Sequence, residues 1–210
     1  SGVVEVLDIN GSSIAKRVGE PVEIKYVLDL RDFPGDPIQD KIVHNYKTIV
    51  EDPEVKIVVE TMGGVEPAYT FVKAMLEAGK HVTTSNKALV AAKGAELIAL
   101  AKEKNVNFMF EASVGGGIPI IRPLKQCLAE NEIDEVIGIM NGTTNYILTK
   151  MFENGMDFTE ALAKATELGY AEADPTADVE GLDAGRKVAI MATSACLLYT
   201  SPSPRDVEES

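Results

Sequence analysis

Cysteine is scarce: only Cys127 and Cys196 occur in the chain, and neither stands in a CxxC or CxH spacing. That excludes a cysteine-built zinc site or redox pair and makes a reducing cytoplasm the expected compartment. Basic residues are few as well, with 20 Lys plus Arg against 33 Asp plus Glu and a formal net charge of -13. Such a balance opposes long-range attraction to nucleic acid or an anionic membrane, so any cation-lined site must be local. No apolar run approaches the ~20 residues that span a bilayer. No charged-then-apolar leader precedes Ser1, and the chain reads as soluble and unsecreted. What it does have, over 210 residues that are 45% hydrophobic, is enough apolar material for one large core or two small ones.

The order of segments is informative. Residues 1–19 present an apolar helical face through Val3, Val4, Val6 and Leu7, with a break expected at Asn10-Gly11. VEIKYVL (22–28) reads as a strand, the Pro/Gly/Asp-rich stretch to Pro37 as a loop, 46–52 as a short helix and IVVE (57–60) as a strand. Glu66-Pro67 opens a helix with proline in its first turn, and Gly79 closes it. HVTTS (81–85), a helix over 93–104 and the strand VNFMF (106–110) repeat the scheme. This alternation predicts an α/β fold with a doubly wound, Rossmann-like parallel sheet.

Beyond Phe110 the rhythm changes towards α+β. EASVGGGIPII is a glycine-dense turn into an amphipathic helix over 119–128, where Cys127 reads as a core residue. DEVIGIMNGTTN (134–145) reads as a strand running into a helix start. Thr159 is the expected cap of FTEALAKATELG, ended by Gly169, and an acidic loop over 170–180 leads to the helix LDAGRKVAIMATSA (182–195). In CLLYTSPSPRDVEES the helical period stops, so 196–210 reads as a non-native or disordered tail. The expected division is a partial dinucleotide-binding domain over 1–110, a partial catalytic, substrate and dimerisation domain over 111–195, and the tail.

Several residues carry chemistry. Asp183 and Lys187, four apart on a helix, share one face, which lets the carboxylate hold the ammonium towards a substrate. Lys87 follows a strand, at the carboxyl edge where doubly wound sheets bind ligands. Gly63 and Gly64 after IVVETM permit close approach of a ligand to the strand end, and Ser85 with Asn86 can add polar contacts. In LDLRD, Asp29 would favour NAD through ribose hydroxyls, whereas Arg31 would favour NADP through a 2′-phosphate. Gly115 to Gly117 lack a phosphate-loop lysine and do not match GxGxxG, so a monovalent cation held by backbone carbonyls is a better use for that turn than a pyrophosphate. A turn that needs glycine for its backbone alone is the competing reading.

Four segments, TSNKALVA (84–91), EASVGGGIPII (111–121), NGTTNYIL (141–148) and GYAEADPTADVEGLDAGRK (169–187), together resemble the homoserine dehydrogenase family. The resemblance covers nearly everything from Ser1 to Ala195. It implies NAD(P)-dependent interconversion of L-homoserine and L-aspartate 4-semialdehyde, in threonine, methionine and isoleucine biosynthesis. By the match, Lys187 is the proton donor and acceptor, Asp183 supports the substrate end, and Lys87 lies between nicotinamide and substrate. Glu172 accepts the substrate ammonium, with Asp178 in the same network. Gly63, Ser85, Asn86, Lys87 and Arg31 touch the cofactor. A sodium ion sits on the carbonyls of Glu111, Val114, Gly116 and Ile118. A homodimer is expected of the complete protein. The family's glycine-rich loop would precede Ser1 and its remaining substrate region would follow Ala195, so an inactive structural or dimerisation fragment is one rival expectation. The other is a semialdehyde dehydrogenase using a cysteine nucleophile.

Overall fold

Structure follows the apolar pattern most closely where helices can cover a strand. In a computed structural model of the chain, the described residues are 2–128, 130–171 and 174–196. The described residues fall into two compact units, divided between Ile57 and Val58. The first holds helix α1 (Gly2–Val18), strands β1 (Val27–Leu28) and β2 (Ile42–Val43), and helix α2 (Tyr46–Glu51). Strands β1 and β2 are parallel, with Val27 opposite Ile42 and Leu28 opposite Val43. The expected strand over 22–28 is thus confined to its last two residues, the only ones that pair with a neighbour. Helix α1 runs through Asn10-Gly11 without the expected break, and the Asn10 amide donates back to the Val6 carbonyl at 3.1 Å.

Strand β3 (Ile57–Glu60) leads into the second unit, with α3 (Ala68–Glu77), β4 (His81–Thr84), α4 (Lys87–Glu103) and β5 (Phe108–Met109). The sheet order is β3-β4-β5, and β4 and β5 are parallel, Val82 opposite Phe108. The architecture is therefore α/β with parallel sheets. Pro67 occupies the N-cap position of α3 rather than its first turn, and Gly79, at φ 75°, reverses the chain after it as expected. Helix α4 starts six residues earlier than predicted, because the Asn86 side chain accepts from the Leu89 amide at 3.0 Å and nucleates the first turn at Lys87.

After β5 come α5 (Ala112–Gly115), a π-helical turn over Pro123–Cys127, α6 (Gly142–Asn154), α7 (Phe158–Glu167), α8 (Thr176–Val179) and α9 (Leu182–Cys196). Three expectations change here. The helix over 119–128 shrinks to helical residues 121–122 and the π turn, and Cys127 is exposed rather than in the core. Residues 134–140 form no strand: Ile137 and Ile139 are exposed, and no strand among the described residues lies beside them to complete a ladder. Helix α7 is capped by Asp157, which accepts from the Glu160 amide at 2.9 Å, and not by Thr159, which already lies inside the helix. The tail expected over 196–210 lies outside the described residues apart from Cys196.

Two apolar clusters among the described residues bear on the site. Val90, Phe110, Val114, Ile121, Ile190 and Met191 join α4, α5 and α9. Ile147, Ala161, Ala165 and Ala171 join α6, α7 and the turn after them. The first cluster matters most for chemistry, since through Ile190 and Met191 it packs the middle of α9 against α4 at Val90, far apart in sequence.

Candidate active site

Two helices of that cluster, α4 and α9, bring three charged residues from their first turns to a common point. Lys87 opens α4, Asp183 lies in the first turn of α9, and Lys187 follows Asp183 one turn later. The Lys87 ammonium is hydrogen-bonded to Asp183 Oδ1, and Lys187 Nζ lies 2.7 Å from Asp183 Oδ2. Both acid and Lys187 are largely sequestered, with side-chain exposures of 12% and 15%. A carboxylate thus stands between the two ammonium groups and offsets the repulsion they would otherwise feel. Burial would by itself raise the proton affinity of Asp183. Hydrogen bonds from Lys187, Lys87 and Asn141 outweigh it and hold the carboxyl down at about 2, against an ordinary 3.8.

Asn141 completes the cluster. Its Nδ2 donates to Asp178 Oδ1 at 2.7 Å and to Asp183 Oδ2 at 3.2 Å. Its Oδ1 accepts from the Thr144 amide at 2.8 Å and the Thr144 hydroxyl at 2.9 Å, capping α6. The neighbouring Met140 carbonyl accepts from Lys187 Nζ at 2.6 Å. Lys87, Asp178, Asp183 and Lys187 are therefore brought together around Asn141. Asn141 and the Met140 carbonyl were not selected. Asn141 could have been found from two signals, since it opens the NGTTNYIL segment of the family resemblance and stands directly before a helix. Glu172 lies outside the described residues.

The carboxyl ends of β3 and β4 carry a second polar arrangement. Glu60, buried at the end of β3, accepts from the Met62 amide at 2.5 Å and from the Thr84 hydroxyl. Thr84 Oγ1 accepts in turn from the Asn86 amide at 2.9 Å, and Asn86 Nδ2 donates to the Gly64 carbonyl at 2.7 Å. The loop 61–64 is thereby held from both sides. Gly64 takes φ 76°, and a methyl group placed on Gly63 would meet nothing within 4 Å. Gly63 therefore faces open space at the strand end, which fits a nucleotide lying across it. Ser85 and Lys87 flank the same strand end, while the Asn86 side chain is spent on the loop and the α4 cap. Arg31 belongs to the first unit. Its guanidinium binds Asp29 in a fork, Nε to Oδ1 and Nη2 to Oδ2, both at 3.1 Å, so the two residues weighed against each other in the sequence pair with each other. The pairing lowers the Asp29 carboxyl to about 2.

At the glycine-dense turn, Gly116 takes φ 60°, and the Gly115 carbonyl accepts from the Ile118 amide at 3.0 Å. The Glu111 carboxylate accepts from the amides of Ile120, Ile121 and Arg122 at 2.5, 2.8 and 2.7 Å. Burial would raise its proton affinity, and the three amides more than compensate, holding it below the usual carboxylate value. No group of three or more His, Cys, Asp or Glu side chains that could hold a metal occurs among the described residues. Nor is any helix among them long and apolar enough to cross a membrane.

Sequence comparison decides the family. The homoserine dehydrogenase NAD-binding domain matches residues 1–111, and the homoserine dehydrogenase domain matches 119–209. The chain belongs to the homoserine dehydrogenase family. A homoserine dehydrogenase from Synechocystis is 53% identical over 198 residues, covering 92% of this chain and 45% of that protein. Among solved structures, the homoserine dehydrogenase of Thiobacillus denitrificans superposes with a TM-score of 0.88 at 38% identity, over 99% of this chain and 51% of its own. A hyperthermophilic archaeal homoserine dehydrogenase in complex with NADPH has a TM-score of 0.70 at 30% identity, over 89% of this chain and 54% of its own. The chain spans about half the length of the relatives it matches. Neither rival expectation, the inactive fragment or the cysteine-dependent enzyme, gains support from these matches.

Proposed function

We propose that this homoserine dehydrogenase chain supplies the catalytic cluster of an NAD(P)-dependent oxidoreductase that interconverts L-homoserine and L-aspartate 4-semialdehyde, a step of threonine, methionine and isoleucine biosynthesis. The observation that carries the reading is the convergence of Lys87 and Lys187 on Asp183. Oxidising an alcohol requires a group that takes the hydroxyl proton and a cation beside the developing oxyanion. In this reading Lys187 exchanges the proton at its Nζ, aimed by Asp183 and by the Met140 carbonyl. Lys87, at the strand end, stands between the substrate carbinol and the nicotinamide site. Asp178 and Glu172 hold the substrate ammonium. A bound nicotinamide supplies the hydride acceptor.

Gly63, Ser85, Asn86, Lys87 and Arg31 are the residues proposed to hold NADP or NAD. The open approach at Gly63 supports this, and the archaeal relative's complex with NADPH makes a phosphorylated cofactor a reasonable probe. A 2′-phosphate would have to compete with Asp29 for Arg31. We extend the proposal to a sodium ion on the carbonyls of Glu111, Val114, Gly116 and Ile118. The four residues lie within eight positions of one another in a segment whose backbone reverses at Gly116 and which the Glu111 carboxylate ties to residues 120–122, which supports this reading. A higher unfolding temperature in sodium chloride than in choline chloride would support that ion, and equal temperatures would remove it. The domain division at 110 and 195, the cytoplasmic setting and the homodimer of the complete protein belong to the same proposal; light scattering of the complete protein tests the dimer.

The decisive test is homoserine-dependent reduction of NAD and of NADP by this chain, beside the full-length protein that contains it. Reduction by the full-length protein is the expected result. Its absence in a folded, cofactor-binding full-length protein would overturn the assigned reaction.

A further inference from the structure

Asn141 is buried, and every hydrogen-bonding capacity of its side-chain amide is used. The two Nδ2 protons go to two different carboxylates, Asp178 and Asp183, while the oxygen receives both donors of Thr144. These four bonds run in one sense. The amide of the first turn of α6 donates to the Asn141 oxygen, and the Asn141 nitrogen donates onwards to the acids. Hydrogen bonds aligned this way polarise one another, so the N-terminal end of α6 strengthens the grip on the carboxylates through the asparagine. The peptide before it contributes too, since the Met140 carbonyl takes Lys187. Two consecutive residues thus fix both members of the Asp183–Lys187 pair, from an element other than the helix that carries the pair.

We propose that Asn141 is a positioning residue of the active site, which acts through Asp183 to aim Lys187 and keeps Asp178 beside them. The inference rests on the roles given above to Asp183 and Lys187. The Asn141 amide bridges Asp178 and Asp183, so its loss removes the hydrogen bonds that tie the two carboxylates to one group. An aspartate at 141 would remove the donor and add a third negative charge. An alanine would remove both the donor and the helix cap.

Serine separates positioning from capping. It is as good an N-cap as asparagine, yet its hydroxyl cannot donate to two carboxylates while capping the helix. In the full-length protein, Asn141→Ser is expected to keep the unfolding temperature and the cofactor affinity close to those of the parent. Its kcat should fall roughly 10- to 100-fold, the scale of a displaced catalytic group. Asn141→Asp should fall at least as far, and Asn141→Gln, which keeps both amide functions, should recover part of the loss. A serine variant with parental kcat would overturn the proposal and leave Asn141 a helix cap only. If the parent itself reduces no cofactor with homoserine, the reaction assignment fails, but the positioning role is still decided by carbon-13 NMR of the side-chain carboxyls. Asp183 is faced by Lys87, Lys187, Asn141 and the Asn141-bridged Asp178. With its Asn141 donor removed, Asp183 should titrate at higher pH in Asn141→Ser. An unchanged midpoint would overturn the proposal on that measurement as well.

Discussion

At Asp183 one carboxylate serves two ammonium groups and one amide, and this has consequences for pH. A group whose proton affinity is lowered on folding stabilises the fold above its unfolded value, and that contribution disappears as pH falls through the folded value. For Asp183 the window lies between 3.8 and about 2. Asp183→Asn should therefore be less stable than the parent at pH 6, with the gap closing from pH 4 to pH 2 in urea titrations. A constant gap would show that the loss is not one of charge. Catalysis gives a separate test on Lys187. Lys187→Ala should lower turnover of the full-length protein by roughly 10²- to 10⁴-fold, the usual worth of a positioned proton-transfer group, while cofactor titration stays unchanged. Turnover within twofold of the parent would remove Lys187 from the proton path. The pairing of Asp183 with Lys187 was legible in the sequence because four residues make one helical turn. The arrival of Lys87, 96 residues away, was not. It follows from the packing of α4 on α9, which no local spacing encodes; only the family resemblance joined the two.

Among the elements, legibility depended on where the backbone hydrogen bonds close. A helix satisfies its backbone within its own segment, so α3 and α9 are visible in their own periodicity, whereas a strand exists only where a neighbour completes its hydrogen bonds. Residues 134–140 are rich in apolar side chains but have no adjacent strand among the described residues, and 22–28 finds a partner for two residues alone. Caps were less legible than helices, since two oxygen-bearing side chains close together compete for one role. At α7 the structure assigns the cap to Asp157, with Thr159 inside the first turn. Asp157→Ala should then cost ~1 kcal/mol in denaturant unfolding, and Thr159→Ala a small fraction of that. The reverse order would return the cap to Thr159.

At the scale of the molecule, apolar burial is distributed unevenly between the two units. Among the described residues of 1–57, Ile49 is the only buried hydrophobic side chain, and α1 buries none, with Ile9 71% exposed. In the unit that follows, α4 alone buries Leu89, Val90 and Leu97 completely, and β4 buries Val82 between α3 and β5. Since apolar burial supplies most of the free energy that keeps backbone amides closed, local opening should require far less energy in α1 than in α4. Hydrogen exchange of this chain at neutral pH is therefore expected to label Gly2–Val18 earliest among its long helices, and to leave Leu89–Leu97 and His81–Thr84 protected longest. The same gradient directs proteolysis: trypsin should cut first at Lys16 or Arg17 and leave a resistant product that retains the Lys87, Asp183 and Lys187 cluster. Equal protection of α1 and α4 would mean that the helix is covered by contacts that its exposed side chains do not reveal, and would place both units in one cooperative fold.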